Sequence, residues 1–166
     1  RNHRNIMNLL IHDANILIDL IKTECVGHFF SLKYEMFTTS AVMGELDEEQ
    51  QRILEQFIAE NILKIRKFND IEDEAIFKIY SNTPGISYPD ATVYFASKDM
   101  GALLLTGDKK LRSVAESSGV DVKGIFWAFD EMKMNKALTV AEYKRKLEKL
   151  KEINRRLPME EFEKRK

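Results

Sequence analysis

Short apolar runs alternate along this chain with stretches of helical periodicity, and that order restricts the fold more than any other feature. Residues 8–12, 33–39, 62–65, 102–106 and 120–123 read as strands, the third of them alternating and edge-like. Between them lie helical stretches at 15–20, at 24–31 with a break near Val26-Gly27, at 70–80 with Ile71, Ala75, Ile76 and Ile79 inward, at 87–100 and at 108–118. A short helix capped by Ser40 and a longer one capped by Asp47, with Gln50 completing a capping box, fill the gap between the second and third strands. A further helix starts at Phe126. Strands separated by helices cannot close as hairpins, and a parallel connection needs a crossover of this kind. The pattern predicts an α/β fold with a mostly parallel central sheet covered by helices, with the run at 102–106 buried on both faces.

The length, 166 residues, suits one domain with a real core, and 44% hydrophobic with 32% charged residues is ordinary for a globular protein. No apolar run approaches the roughly 20 residues of a membrane helix, and no signal peptide is visible. The single cysteine, Cys25, reads as a small buried hydrophobe, and without a His/Cys cluster no zinc site is expected; a cytoplasmic location follows. A net charge of −1 and a pI near 6.4 argue against indiscriminate nucleic-acid binding. They leave room for an enzyme whose metal ions supply positive charge locally. Residues 1–6 read as an expression remnant, so His3 is given no role, and the main domain is expected over 7–134. From Thr139 onward Val140, Tyr143, Leu147, Leu150 and Ile153 recur at spacings of three or four among lysines, arginines and glutamates. The stretch 135–166 is therefore expected to be an amphipathic helical extension, broken at Pro158, packed on the same domain or serving a dimer or partner interface.

Four acids fall where strands end or helices begin: Asp13, Glu45, Asp90 and Asp108. In a parallel sheet the carboxyl ends of the strands converge on one crevice, where ligands bind. Carboxylates gathered there repel one another unless a cation sits among them, so the set reads as a divalent-metal site. Each acid alone has a plainer reading. Asp90 and Asp108 suit helix N-termini and Glu45 suits a solvated surface. Asp13 ends an apolar strand, where packing alone gives a carboxylate no purpose. His12, within that strand, is expected in the core, and Asp19, Asp99 and Asp130 are expected to be structural or solvated.

Taken together, Asp13-Ala14-Asn15-Ile16-Leu17-Ile18-Asp19, the single Glu45, Ser87-Tyr88-Pro89-Asp90-Ala91 and Leu103-Leu104-Leu105-Thr106-Gly107-Asp108-Lys109-Lys110-Leu111-Arg112 resemble a PIN-domain nuclease, and closely the VapC-type ribonuclease toxins of bacterial toxin–antitoxin pairs. The stretch 119–127 is similar as well, so the resemblance runs from about residue 8 to about 134. It implies a PIN-like three-layer α/β/α fold with an added C-terminal helix. It also implies a metal-binding and catalytic quartet of Asp13, Glu45, Asp90 and Asp108, holding Mg²⁺ or Mn²⁺. Asn15 would orient Asp13, Thr106 would sit beside Asp108 and support a metal-bound water, and Ser87 would join the same supporting layer. Lys109, Lys110 and Arg112 are placed to meet RNA phosphates, or equally to form a solvated helix face. The implied activity is endoribonuclease cleavage leaving a 5′-phosphate and a 3′-hydroxyl, with an RNA substrate, a cognate antitoxin and a homodimer as partners.

The chemistry suits the residues. Mg²⁺ and Mn²⁺ take oxygen ligands, and phosphodiester hydrolysis needs an activated water together with positive charge for the charge that develops. Other α/β folds that gather acids fit less well. A receiver domain wants an adjacent acidic pair after its first strand, where this chain has Asp13-Ala14-Asn15. A haloacid-dehalogenase-type phosphatase wants Asp-x-Asp, and Asn15 stands in the second place. An RNA-processing nuclease outside any toxin system, and a catalytically silent PIN domain that only binds RNA or protein, stay open as alternatives, the second opposed by the intact quartet.

Overall fold

The computed structural model describes residues 8–166; the expected domain start at Met7 and the stretch before it lie outside the described residues. Five strands form one sheet: β1 (Leu9–His12), β2 (Glu35–Thr39), β3 (Leu63–Arg66), β4 (Leu103–Leu105) and β5 (Val122–Lys123). Their spatial order is β3-β2-β1-β4-β5 and every pairing is parallel. The helices are α1 (Ala14–Lys22), α2 (Val26–Phe30), α3 (Ser40–Met43), α4 (Glu48–Ala59), α5 (Asp70–Asn82), α6 (Tyr88–Met100), α7 (Lys109–Ser117), α8 (Ile125–Met134), α9 (Val140–Ile153) and α10 (Met159–Glu163). They flank the sheet in the α/β architecture the alternation predicts, consistent with the three-layer arrangement the resemblance implies, with β3 at an edge.

The core forms where the three inner strands meet the helices. Leu10, Ile11, Met36, Leu104 and Leu105 are buried in the sheet, and Leu17, Leu20, Val93, Ala96 and Phe129 close over them. Small Ala91 and Ala96 let α6 lie close to the strands. His12 belongs to this core as expected. It is fully buried, its Nε2 stands 3.2 Å from the Met36 sulfur, and Phe29 and Phe30 meet it edge-on. Burial pushes its imidazole down to about 3, so it is neutral across the physiological range.

Several local expectations need correction. The helical break after α1 falls at Glu24, whose φ of 59° turns the chain, and not at Val26-Gly27. The cap of α3 is Thr39, whose hydroxyl accepts from the Val42 N–H, so Ser40 is the first helical residue. Ile71 points to solvent at 80% exposure; α5 is anchored instead through buried Ile76, which clusters with Ile86 and Ala91. The helix expected after Thr139 forms as α9, with a capping box between Thr139 and Glu142. Its Tyr143, Leu147 and Leu150 are buried against the rest of the core. The last helix is tied down by Arg165, which donates to both oxygens of Asp130 at 2.9 and 2.8 Å.

Candidate active site

The strand order places a crevice at the centre of the sheet. From β1 the chain winds outward to β2 and β3, then returns to lay β4 on the other side of β1. Segments leaving the carboxyl ends of β1 and β4 therefore diverge, the condition for a ligand crevice in an open parallel sheet. The register sets His12 beside Leu105, so the next residues, Asp13 and Thr106, meet at the mouth of the crevice. The Asp13 N–H closes the ladder by donating to the Leu105 carbonyl at 3.0 Å.

Asp13 is buried and also starts α1, with extended backbone. The fully buried Thr106 hydroxyl donates to its Oδ2. The same hydroxyl accepts from the Asp108 N–H at 3.0 Å, so one side chain fixes both acidic segments. Asp108 caps α7 by accepting from the Leu111 N–H at 2.8 Å. Asp90 lies in the first turn of α6, where it forms a capping box with Ser87. The Ser87 N–H donates to Asp90 Oδ2 at 2.9 Å, and the Asp90 N–H donates to the Ser87 hydroxyl at 3.1 Å. Glu45 follows α3 and is exposed. The α3 turn leans on α6 through a 2.8 Å hydrogen bond between the hydroxyls of Thr39 and Thr92.

All four acids line one cavity of about 350 Å³, together with Asn15, Ser87 and Gly85. Among the described residues no lysine or arginine lines it. The charge state reflects this. Asp13 is pushed up to about 6, first by burial and then by the charges of Asp90 and Glu45, against the lowering effect of the Thr106 hydrogen bond. Burial also raises Asp90, helped by the charge of Asp108, while its Ser87 hydrogen bonds pull the other way. Glu45 rises through partial burial and the charge of Asp90. Burial and mutual repulsion thus both oppose ionisation of these carboxylates.

Among the described residues no group of three or more His, Cys, Asp or Glu side chains is set as a ready ligand cage. The donor set nonetheless fits a hard divalent cation. It is all oxygen and cation-free. Mg²⁺ commonly keeps several waters and takes only one or two carboxylates directly, so a tight protein cage is not required.

The supporting residues differ from expectation in one respect. Asn15 is exposed at the cavity wall and makes no hydrogen bond to Asp13; Thr106 holds Asp13 instead. Thr106 sits beside Asp108 as expected, and, fully buried, its hydroxyl also reaches Asp13, so it positions both acids. Ser87 positions Asp90 directly. Of the cations on α7, Lys109 and Lys110 are exposed, and the Lys110 chain passes over Gly85. Arg112 turns away toward Gly124 and pairs with Glu116 at 3.5 Å. Gly85, for which the sequence suggests no role, lines the cavity with a φ of 95°.

The family model of the PIN domain matches residues 9–166. The chain belongs to the PIN-domain family. The comparison with curated proteins gives no match. PIN domains are generally nucleases that use divalent metal ions, which agrees with a hydrolase at this level of detail. The matched span takes in α9 and α10 as well as the sheet. No helix of this PIN domain, among the described residues, is long and apolar enough to cross a membrane.

Proposed function

We propose that this PIN domain is a divalent-metal-dependent endoribonuclease and the toxin of a type II toxin–antitoxin pair. The observation that carries the nuclease reading is the convergence of Asp13, Glu45, Asp90 and Asp108, from four separate segments, on one cavity that no lysine or arginine among the described residues lines. A bound Mg²⁺ or Mn²⁺ would supply positive charge for the scissile phosphate and lower the pKa of a coordinated water. Asp13 and Asp108 are tied together by Thr106, Asp90 is held by its capping box, and exposed Glu45 lines the same cavity. His12 takes no part, because it is neutral and enclosed by Met36, Phe29 and Phe30. Exposed Lys109 and Lys110 are the cations available to phosphates beside the scissile one. The toxin reading rests on the resemblance of the motif segments to VapC-type ribonucleases. It implies an antitoxin that covers the crevice and answers its acidity with a basic side chain, and a toxin that acts as a homodimer.

The test is cleavage of a labelled single-stranded RNA in Mg²⁺, Mn²⁺ or EDTA by the wild type, Asp13→Asn and Asp90→Asn. Metal-dependent cutting that both substitutions abolish is the expected result. Cutting that survives both, or none by the wild type on varied RNAs, would remove the catalytic assignment.

A further inference from the structure

Two neighbouring threonines, Thr38 and Thr39, end β2 with both side chains fully buried. Thr92 is buried on α6. A valine would fill each of these places without a polar atom, and a buried hydroxyl costs free energy unless it is hydrogen-bonded. All three hydroxyls are spent on the segments that carry the acids. Thr38 donates to the His12 carbonyl at 2.9 Å, on the peptide that leads into Asp13. Thr92 donates to the Pro89 carbonyl at 2.6 Å, on the peptide that leads into Asp90. Thr39 accepts from the Val42 N–H at 3.2 Å and lies 2.8 Å from the Thr92 hydroxyl.

The direction of that last bond is fixed by counting protons. A threonine hydroxyl has one hydrogen. That of Thr92 goes to Pro89, so Thr39 donates its own to Thr92. The Glu45 N–H in turn donates to the Val42 carbonyl at 3.0 Å. An unbroken line therefore runs from the Glu45 backbone through Val42, Thr39 and Thr92 to the peptide of Asp90. Glu45 and Asp90 come from different elements and line one cavity, where like charges push apart. Thr106 ties only Asp13 to Asp108.

We infer that Thr39 and Thr92 are positioning residues that hold Glu45 and Asp90 together as a pair for one divalent cation. This inference rests on the metal reading of the cavity. The carboxylates meet the cation, and the two threonines act behind them through the backbone that carries each acid. The cavity is then built from two hydroxyl-tied pairs, Asp13 with Asp108 and Glu45 with Asp90. Thr38 joins the pairs, because it reaches the Asp13 segment from the same end of β2 that holds Thr39. Removing groups that orient metal ligands commonly weakens the metal by about 10–100-fold.

The experiment titrates Mn²⁺ into the full chain by calorimetry, without RNA, for the wild type, Thr92→Val, Thr92→Ser, Glu45→Gln and the double variant Glu45→Gln/Thr92→Val. Thr92→Val cuts the line and leaves the Thr39 cap of α3 in place. It should weaken Mn²⁺ by about tenfold or more, and Thr92→Ser should restore the affinity. Without the Glu45 carboxylate the same substitution should do much less, since residues that act as one unit are not additive. Thermal melting in EDTA, with titration well below the lowest Tm, separates position from fold: a purely structural threonine lowers Tm and leaves the affinity of the folded protein unchanged. Thr92→Ala, better suited to a helix, gives the same reading if the valine variant does not fold. Wild-type affinity in the Thr92 variants, or an equal loss with and without Glu45, overturns the positioning role and leaves the metal reading intact. A wild type that binds no Mn²⁺, or binding untouched by Asp90→Asn, removes the metal reading and the inference with it.

Discussion

Asp13 is held against its own interest. Its carboxyl, normally near 3.8, is pushed up to about 6, chiefly by burial. A carboxyl whose folded pKa is raised binds its proton more tightly in the native state. The fold therefore loses stability as pH rises from the ordinary value toward 6, and the loss is complete above it. At about 1.4 kcal/mol per pKa unit, the ionised group costs on the order of 1–3 kcal/mol at neutral pH. Asp13→Asn keeps the size and an acceptor for Thr106 but removes the charge, so it should raise the Tm at pH 7.5 and leave it nearly unchanged at pH 4. It should also abolish the stabilisation that Mg²⁺ gives the wild type, since ligand bound to the native state raises stability by mass action. A drop in Tm at pH 7.5 would show that the charge is compensated by a partner. The same group sets the pH response of catalysis. RNA cleavage should climb as pH passes upward through about 6. Thr106→Val, which deletes the hydrogen bond that lowers Asp13, should move that limb to higher pH, while Thr106→Ser should restore it. An unmoved profile in Thr106→Val would mean that another group controls the rate.

At the scale of the element, helix N-termini do much of the positioning. Asp90 and Asp108 each serve as a local cap and as a wall of the cavity, so the site is aimed by the same bonds that start α6 and α7. Ser87→Ala removes one side of the α6 capping box. It should cost roughly 0.5–2 kcal/mol in chemical unfolding, and it should lower the cleavage rate beyond that, because the Asp90 N–H loses its acceptor and the turn is loosened, leaving only the Ser87 N–H to hold the carboxylate. A normal rate in a destabilised variant would separate the cap from the site. Caps are legible in a sequence because a cap is a contact across three residues: the box expected between Asp47 and Gln50 forms, and the structure adds two of the same spacing, Ser87 with Asp90 and Thr139 with Glu142. Contacts decided by register between distant strands are not legible. Thr106 reaches Asp13 across 93 positions, and only the pairing of β1 with β4 brings them abreast, whereas Asn15 is near in sequence but faces outward from the first turn of α1. Ile71 failed for a related reason: helical periodicity gives a face but not which of its residues meet a partner, and α5 packs through Ile76 while Ile71 is left in solvent.

For the molecule as a whole, the open matter is whether the C-terminal helices are an appendage or part of the fold. The sequence showed an amphipathic helix there and left open what it covers. In the structure Tyr143, Leu147, Leu150 and Phe162 are all buried, and the polar ties point the same way. Tyr143 donates to Asp130 at 2.6 Å, Asn154 to Asp19 at 2.9 Å, and Arg165 grips Asp130 while lying over the Phe126 ring. Burying a large apolar side chain contributes roughly 1.5–3 kcal/mol, so four of them contribute about 6–12 kcal/mol. That is the size of a typical domain's entire stability, about 5–15 kcal/mol. A chain ending at Asn135 should therefore lose its cooperative thermal transition and expose enough apolar surface to aggregate. Arg165→Ala, which spares the apolar face, should melt cooperatively with only a modest fall in Tm. If the shortened chain instead melts as sharply as the full one and still cleaves RNA, α9 and α10 are dispensable to the core, and their apolar face would have to be explained by a partner.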